Sequence, residues 1–143
     1  MDKDPLQCVP HRIVELVGKQ VKLMYASWGS SMTVTEDCEV FSWSYFADDM
    51  NHLSHGVDAL QRRPKRIEGL IGVKVAAAAM CPTHTLVADE DGVVWGFGHR
   101  CALGLDDLPP APEGLDPGVE HPTPIPALRM RARKSPPVAR LWL

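Results

Sequence analysis

Residues 84–98 read HTLVADEDGVVWGFG, and residues 30–44, fifty-four positions earlier, read SSMTVTEDCEVFSWS. Each stretch contains an alternating apolar run, an acidic turn, and then a β-branched and aromatic run. Alternation with a period of two indicates a half-buried strand, and two such runs on either side of a turn indicate a hairpin. The two stretches therefore predict two similar β-hairpins in one chain.

The similarity extends beyond the hairpins. Residues 10–44 align with residues 64–98 without a gap, and nine of the 35 aligned positions are identical, whereas ordinary residue frequencies give about two by chance. A third copy begins at residues 122–128, where PTPIPAL matches the start of the second copy. A period of roughly 50 residues is typical of a β-propeller blade or of a solenoid unit.

The segments before the hairpins favour the propeller. VKLMYA (21–26) and VKVAAAAM (73–80) are apolar runs that lead into the two hairpins. The alanines of the second run also suit a helix, but small residues are expected in an inner strand packed near a crowded axis. With the PxxI segment that opens each repeat, every repeat offers four strand candidates, which is the number in one blade. We therefore predict an all-β fold of antiparallel four-stranded blades in an incomplete β-propeller.

The second repeat resembles the regulator of chromosome condensation repeat. That pattern runs Pro-x-x-Val/Ile…Leu-x-Gly, a small-residue strand, Gly-x-x-His-Ser/Thr-x-Ala-Leu-Thr-x-Asp-Gly-x-Val-Tyr-x-Trp-Gly, and Gly-Gln-Leu-Gly. The resemblance implies structural roles for nine matching positions: Pro64, Leu70, Gly72, His84, Asp91, Gly92, Trp95, Gly98 and Gly104. The first repeat departs from the pattern, since Ser30 stands at the histidine position and Cys38 and Ser44 replace glycines.

The alignment divides the chain into an extension, two repeats, the start of a third repeat and a tail. These segments are residues 1–9, 10–63, 64–121, 122–128 and 129–143, and we expect the basic tail to be flexible. Two blades cannot close a ring, because propellers have about four to eight blades. We therefore expect either a fragment of a larger propeller or a chain that takes blades from partners, and we favour the fragment.

The bulk properties indicate a globular protein of the cytoplasm or the nucleus. The start of the chain carries charges and prolines where a signal peptide needs an apolar stretch. The four cysteines form no CxxC pair, which favours a reducing compartment. A net charge of −3 argues against general nucleic-acid binding, except through the basic stretch at 129–134, and no membrane contact is expected.

The motifs that would carry chemistry are weak. GFGHRC (96–101) lacks the third glycine of a dinucleotide-binding loop, so we interpret its glycines as strand-end turns. His52 and His55 have HxxH spacing, but no third ligand lies near them in the sequence. Cys81 and Cys101 stand at glycine positions of the family and are interpreted as replacements of a small residue. We expect no catalytic residue, no cofactor and no bound metal.

The resemblance implies a protein-interaction module without chemistry of its own. Two alternatives stay open for a longer parent protein: part of a guanine-nucleotide exchange factor for a small GTPase, or the substrate-recruiting propeller of a ubiquitin ligase. All three functions imply a protein partner, which in the exchange factor is the small GTPase.

Overall fold

The structure, a computed structural model, describes residues 10–48, 50–56, 60–105 and 118–129. The predicted extension (1–9) and residues 130–143 of the predicted tail lie outside the described residues. Within the described ranges the chain forms eight strands in two four-stranded sheets, with every pairing antiparallel. The prediction of an all-β fold with antiparallel four-stranded sheets is confirmed.

The first sheet has the order β1-β2-β3-β4 and the second has the order β5-β6-β7-β8. The strands of the first sheet are β1 (Val21–Ser27), β2 (Ser30–Thr35), β3 (Val40–Ser44) and β4 (Lys65–Arg66). Those of the second are β5 (Val75–Met80), β6 (His84–Asp89), β7 (Val93–Gly98) and β8 (Val119–Arg129). The helical segments of the described residues are three 3-10 turns: Val14–Leu16, Glu68–Leu70 and Cys101–Leu103. The alanine-rich run is a strand, because its backbone pairs along β6.

The two sheets have the same strand register. Leu23 lies opposite Val34, and Ala77, fifty-four positions after Leu23, lies opposite Ala88. Both inner strands also carry an irregularity one residue before this pair, where the register shifts. A bulge inserts an unpaired residue into a ladder, so its presence at equivalent positions is a sensitive check on alignment. The gapless repeat inferred from the sequence is therefore a structural repeat.

One expectation about the strands is wrong. The sequence period predicts that the PxxI segment belongs to the blade of the repeat that it opens, but in the structure this segment pairs with the hairpin of the preceding repeat. Lys65 lies opposite Ser42 in β3, and Thr123 lies opposite Gly96 in β7. The third strand of each sheet has a free edge of N–H and C=O groups, and the returning chain satisfies them. The predicted boundaries at 63/64 and 121/122 therefore describe the sequence period, and each sheet extends across one of them.

The main core lies between the two sheets. Its buried members come from both sheets and from the segment that joins them: Met32, Val34, Val40, Ile67, Leu70, Val75, Val87 and Phe97. Leu23 and Tyr25 of β1 pack against this core, and the Tyr25 hydroxyl accepts a hydrogen bond from the Ala78 N–H at 2.9 Å. A second apolar cluster, around Val94 and Ile125, lies on the opposite face of the second sheet. The second sheet is thus apolar on both faces, as a sheet inside a stack must be.

The loop at residues 50–56 forms hydrogen bonds that join the first repeat to the second sheet. The Thr85 hydroxyl donates to the His52 carbonyl at 2.8 Å, and the Asn51 side-chain amide donates to the Val119 carbonyl at 3.3 Å. The Ser54 hydroxyl donates to the Glu120 carbonyl at 3.0 Å. These bonds join residues more than 30 positions apart, so the two sheets are held together by polar contacts as well as by the core.

Candidate functional site

The nine family positions are distributed along the second repeat instead of converging on one cavity. Four of them are turn glycines with left-handed backbone, with φ values of 80°, 83°, 105° and 66°: Gly72, Gly92, Gly98 and Gly104. Leu70 is buried in the main core, Pro64 precedes β4, and Asp91 is exposed in the β6–β7 turn. Such placements fit the structural roles that we propose for these residues.

Gly98 illustrates what such a position requires. A Cβ at Gly98 would lie 2.5 Å from the Thr83 carbonyl oxygen and 2.6 Å from the His84 Cα, which is closer than real Cβ atoms approach. Its repeat equivalent, Ser44, does not have a positive φ, so the first repeat closes this corner differently. His84 lies beside Cys81, with Nδ1 3.0 Å from Sγ. Burial lowers the pKa of His84, and the nearby charge of His99 lowers it further.

Asp89 is the structural carboxylate that sequence reasoning missed. Its Oδ1 accepts from the Val93 N–H at 2.8 Å and its Oδ2 accepts from the Trp95 Nε1–H at 3.0 Å. In the first repeat Thr35 has the equivalent role, because its Oγ1 accepts from the Glu39 N–H at 3.1 Å. A side chain that bonds the backbone of its own turn is a known use of Asp and Thr, and this was the available signal.

Three exposed rings lie together at one end of the first sheet; we call Trp28, Tyr45 and Phe46 the aromatic patch. Trp28 and Phe46 stack with centroids 5.4 Å apart, and Tyr45 meets Phe46 edge to face at 5.3 Å. The exposed fractions are 76% for Trp28, 57% for Tyr45 and 47% for Phe46. The Arg62 guanidinium lies 5.3 Å from the Tyr45 ring centroid. The patch thus combines apolar area with one cation.

The backbone of the β1–β2 turn makes the stack possible. Gly29 has a φ of +81°, and a Cβ there would lie 2.5 Å from Cε2 of Phe46. The Gly29 carbonyl accepts a hydrogen bond from the Tyr45 N–H at 2.9 Å. Glycine is therefore required twice, by the turn and by the ring that covers it. Sequence analysis did not identify the patch, since its members come from two loops.

A cavity of about 360 Å³ opens beside the patch. Its lining contains two patch rings together with polar and apolar groups from both repeats: Trp28, Ser30, Ser44, Phe46, Ala47, Met50, His52, Pro82 and Thr83. The volume falls in the range of pockets that receive a small ligand or a single large side chain.

The floor of this cavity is a buried polar network with the distances of a hydrolase triad. Ser30 Oγ lies 2.7 Å from His52 Nε2, and His52 Nδ1 lies 2.7 Å from Asp48 Oδ1. However, Nδ1 lacks the alignment of a hydrogen bond to that oxygen. The two Asp48 oxygens accept from the His52 and Leu53 N–H groups at 2.7 and 2.8 Å, so the carboxylate holds a turn. The Ser30 hydroxyl also donates a hydrogen bond to the Ser44 hydroxyl at 3.1 Å.

The two histidines of the HxxH spacing are used separately. His52 contacts Ser30, whereas His55 Nε2 lies 2.8 Å from Ser42 Oγ. In the described part of the chain, no group of three or more His, Cys, Asp and Glu side chains is placed to hold a metal ion. Across the same residues no helix is long and apolar enough to cross a membrane.

Comparison with known proteins gives relatives and solved structures. No protein-family model matches the chain. It is 35% identical over 98 residues to the E3 ubiquitin-protein ligase HERC2 of Homo sapiens, covering 67% of this chain and 2% of the ligase. It is 34% identical over 91 residues to the Protein RCC2 homolog of Danio rerio, covering 64% of this chain and 18% of that protein. The chain therefore spans a small part of these relatives.

The fold matches the crystal structure of Prp20p from Saccharomyces cerevisiae. The TM-score is 0.64 at 21% identity, and the match covers 76% of this chain and 27% of Prp20p. That structure was determined together with the binding of Prp20p to Gsp1p and histones. The two sheets of this chain are thus two blades of a β-propeller.

Proposed function

This chain carries repeats of the regulator of chromosome condensation family, and on that premise we propose that it is a non-catalytic module that binds a protein partner through the aromatic patch. The observation that carries the proposal is the stacked Trp28–Phe46 pair, which is 76% and 47% exposed at the end of a rigid sheet. Exposed rings held in place by their own backbone lose little side-chain freedom on binding.

The composition of the patch matches residues that dominate binding energy. Trp, Tyr and Arg are enriched among interface residues whose truncation weakens binding by about 2 kcal/mol or more. Trp28, Tyr45 and Arg62 supply all three types within contact of one another or of Phe46. We therefore assign the energetic centre of the interface to these side chains.

The cavity beside the patch defines the chemistry of the partner. Trp28, Phe46, Met50 and Pro82 give it apolar walls, and a volume of about 360 Å³ receives one large side chain. The Arg62 guanidinium nearby favours a carboxylate on the partner. We propose a protein segment that inserts an aliphatic or aromatic residue beside an acidic one.

The proposal excludes catalysis by Ser30 on physical grounds. A nucleophilic serine needs a base that is oriented by its own acceptor. Here the carboxylate is engaged by backbone N–H groups, and the serine is engaged by Ser44. A fluorophosphonate probe is expected to leave Ser30 unlabelled, and labelling that disappears in Ser30→Ala would overturn this part of the proposal.

The experiment for the main proposal compares three forms of the full chain as bait in a cell extract. They are the wild type, Trp28→Ala/Phe46→Ala, and a control at two exposed apolar residues that are not members of the patch, Val14→Ala/Val17→Ala. Proteins that bind the patch are expected to fall at least tenfold with the first variant and to persist with the control. Equal recovery on all three baits would overturn the proposal.

Guanine-nucleotide exchange on a small GTPase is a second candidate, favoured by the structural match to Prp20p. Purified Gsp1p loaded with fluorescent GDP provides the test. We expect the chain to bind without accelerating release by more than about twofold, since exchange is proposed for a complete propeller. A tenfold acceleration would replace binding with exchange as the function. In a longer protein with a ubiquitin-ligase domain, the corresponding role of the chain is to bind the substrate of the ligase. The bait experiment also detects such binding. For these roles we place the chain in the cytoplasm or the nucleus.

A further inference from the structure

The far face of the second sheet, which points away from the first sheet, carries an apolar cleft of about 300 Å³. We call it the alanine cleft, after the small residues that dominate its lining: Ala77, Ala78, Ala79, Leu86, Ala88, Val94 and Leu128. Leu128 is 45% exposed at its rim. The cleft is on a different surface from the aromatic patch, so it is independent of the proposed function.

The repeat identifies what this face does. The positions equivalent to Ala77, Ala79, Leu86, Ala88 and Val94 in the first repeat all pack on the core between the sheets: Leu23, Tyr25, Met32, Val34 and Val40. The equivalent of Leu128 is Leu70, which is only 1% exposed because it lies in that same core. The alanine cleft is therefore equivalent to the face on which one blade docks against the next, and the described part of the chain leaves it open as a cleft.

The opposite face of the first sheet shows the complementary case. Val75 is 1% exposed in the core between the sheets, whereas its equivalent, Val21, is 39% exposed. Met24 is 71% exposed, and its equivalent, Ala78, packs against Tyr25 and the core. Val21 and Met24 thus stand at positions that dock on a neighbouring blade in the other repeat.

The sizes of the two faces are matched to each other. Between the existing sheets, the small Ala78 meets the large Leu23 and Tyr25 side. On the two faces that no described residue covers, the sizes are exchanged, because the large Met24 protrudes from β1 while Ala77 and Ala79 form the cleft. A packed interface conserves the summed volume of the side chains that meet in it. A large side chain facing a small one can therefore replace a small side chain facing a large one.

We propose that a second copy of this chain docks head to tail, with Met24 and Val21 of one copy inserted into the alanine cleft of the next. The interface is heterologous, so every docked copy still presents one face of each kind. Such contacts form rings if the rotation closes and open filaments if it does not. The described residues form two blades, and propellers have about four to eight, so closure with such units corresponds to roughly two to four copies.

The test is sedimentation equilibrium on the full chain and on two single variants. Met24→Glu blocks one face and Ala79→Glu blocks the other, and Leu60→Glu is the control at an exposed apolar residue that does not line the cleft. The wild type and the control are expected to associate with rising concentration. Each of the two interface variants is expected to weaken association at least tenfold.

Mixing the two interface variants distinguishes head-to-tail docking from a symmetric dimer. Each mixture partner keeps one intact face, so the pair forms one wild-type interface and stops at a 1:1 complex. If Met24→Glu loses the circular dichroism spectrum of the folded chain, Met24→Ala, a truncation at the same exposed site, replaces it. Met24→Ala is also expected to weaken association. No complex in the mixture would overturn the proposal. A wild type that stays monomeric would also overturn it, and would leave a following blade of a longer polypeptide as the occupant of the cleft.

Discussion

Cys38 and Gly92 occupy the same point of the two equivalent hairpin turns, and both have left-handed backbone, with φ values of 61° and 83°. The backbone N–H of each also donates to the last residue of the preceding strand, at 3.0 and 3.1 Å. A residue with a Cβ adopts this conformation at a cost of about 1–2 kcal/mol, which glycine avoids. The first repeat therefore carries strain that the second does not.

Exchanging these two residues tests that strain. Cys38→Gly is expected to raise the free energy of unfolding by about 0.5–1 kcal/mol, after the greater unfolded-state entropy of glycine is subtracted. Gly92→Cys is expected to lower it by a comparable or larger amount. Denaturant midpoints measure both changes. A lower midpoint for Cys38→Gly together with an unchanged one for Gly92→Cys would mean that the turns are not equivalent.

The bonds of Asp89 predict a second stability difference between the repeats. Asp89→Ala removes the acceptor of the Asp91 and Val93 N–H groups and of the Trp95 indole N–H, and since none of these bonds is fully buried each loss is expected to cost about 1 kcal/mol. Thr35→Ala, the matched change in the first repeat, removes one backbone acceptor and is expected to cost less. Thermal or denaturant unfolding compares the two, and an equal or greater loss for Thr35→Ala would contradict the assignment.

Stability is expected to fall on acidification, in part through His55. Burial lowers the pKa of His55 below its ordinary value of 6.5 and outweighs the opposing effect of the hydrogen bond to the Ser42 carbonyl, and the nearby charge of Lys65 lowers the pKa further. Between the lowered pKa of His55 in the folded chain and its ordinary value of about 6.5, the unfolded chain binds more protons than the folded chain. The free energy of unfolding therefore decreases as the pH falls below about 6.5. His84 acts with the same sign.

The variant His55→Gln isolates this contribution. The slope of unfolding free energy against pH between about 5 and 7 is expected to become shallower in His55→Gln. The control His11→Gln, at an exposed histidine, is expected to keep the wild-type slope. A steeper slope in His55→Gln would show that the sign of the linkage is wrong.

Gly29 is expected to control the order of the aromatic patch. Gly29→Ala places a Cβ into the Phe46 ring and a side chain at a φ of +81°, so the ring must move and the turn becomes strained by about 1–2 kcal/mol. Gly18→Ala is the matched control, because Gly18 has a similar φ of +83° but open space around its Cβ position. Both lose stability through the backbone, but only Gly29→Ala is expected to reduce partner binding. Equal binding by the two variants would contradict the role of the turn.

The hairpins were predictable from the sequence because alternation, acidic turns and a gapless repeat are local signals. The strand pairing of the PxxI segment was not, since nothing in Lys65 or Arg66 states whether they join the hairpin before them or after them. The choice is made by the free edge of β3, which is a property of the folded sheet. Periodicity in a sequence thus fixes the content of a unit without fixing where the unit begins.

The aromatic patch was missed for a related reason. Trp28 belongs to the β1–β2 turn, while Tyr45 and Phe46 follow β3, so their contact depends on the hairpin closing. Asp89 was not identified because the sequence shows a run of three acidic residues at 89–91, and nothing in that run distinguishes Asp89 from Glu90 and Asp91. Composition identified the turn, and only the geometry shows that Asp89 accepts from the Val93 N–H and the Trp95 indole N–H, whereas Glu90 pairs with Lys22.

The capture of β4 and β8 from the following sequence period has a consequence for how such chains are rearranged in evolution. A duplication or deletion bounded at residue 64 would move a whole period, yet it would strip one sheet of its last strand and present the orphaned strand to another. Neighbouring sequence periods therefore share a sheet, because each period supplies the last strand of the sheet before it. A duplicated period therefore pairs with the neighbouring period through this strand. This favours insertion of a new period within an existing array over transfer of a single period to an unrelated protein.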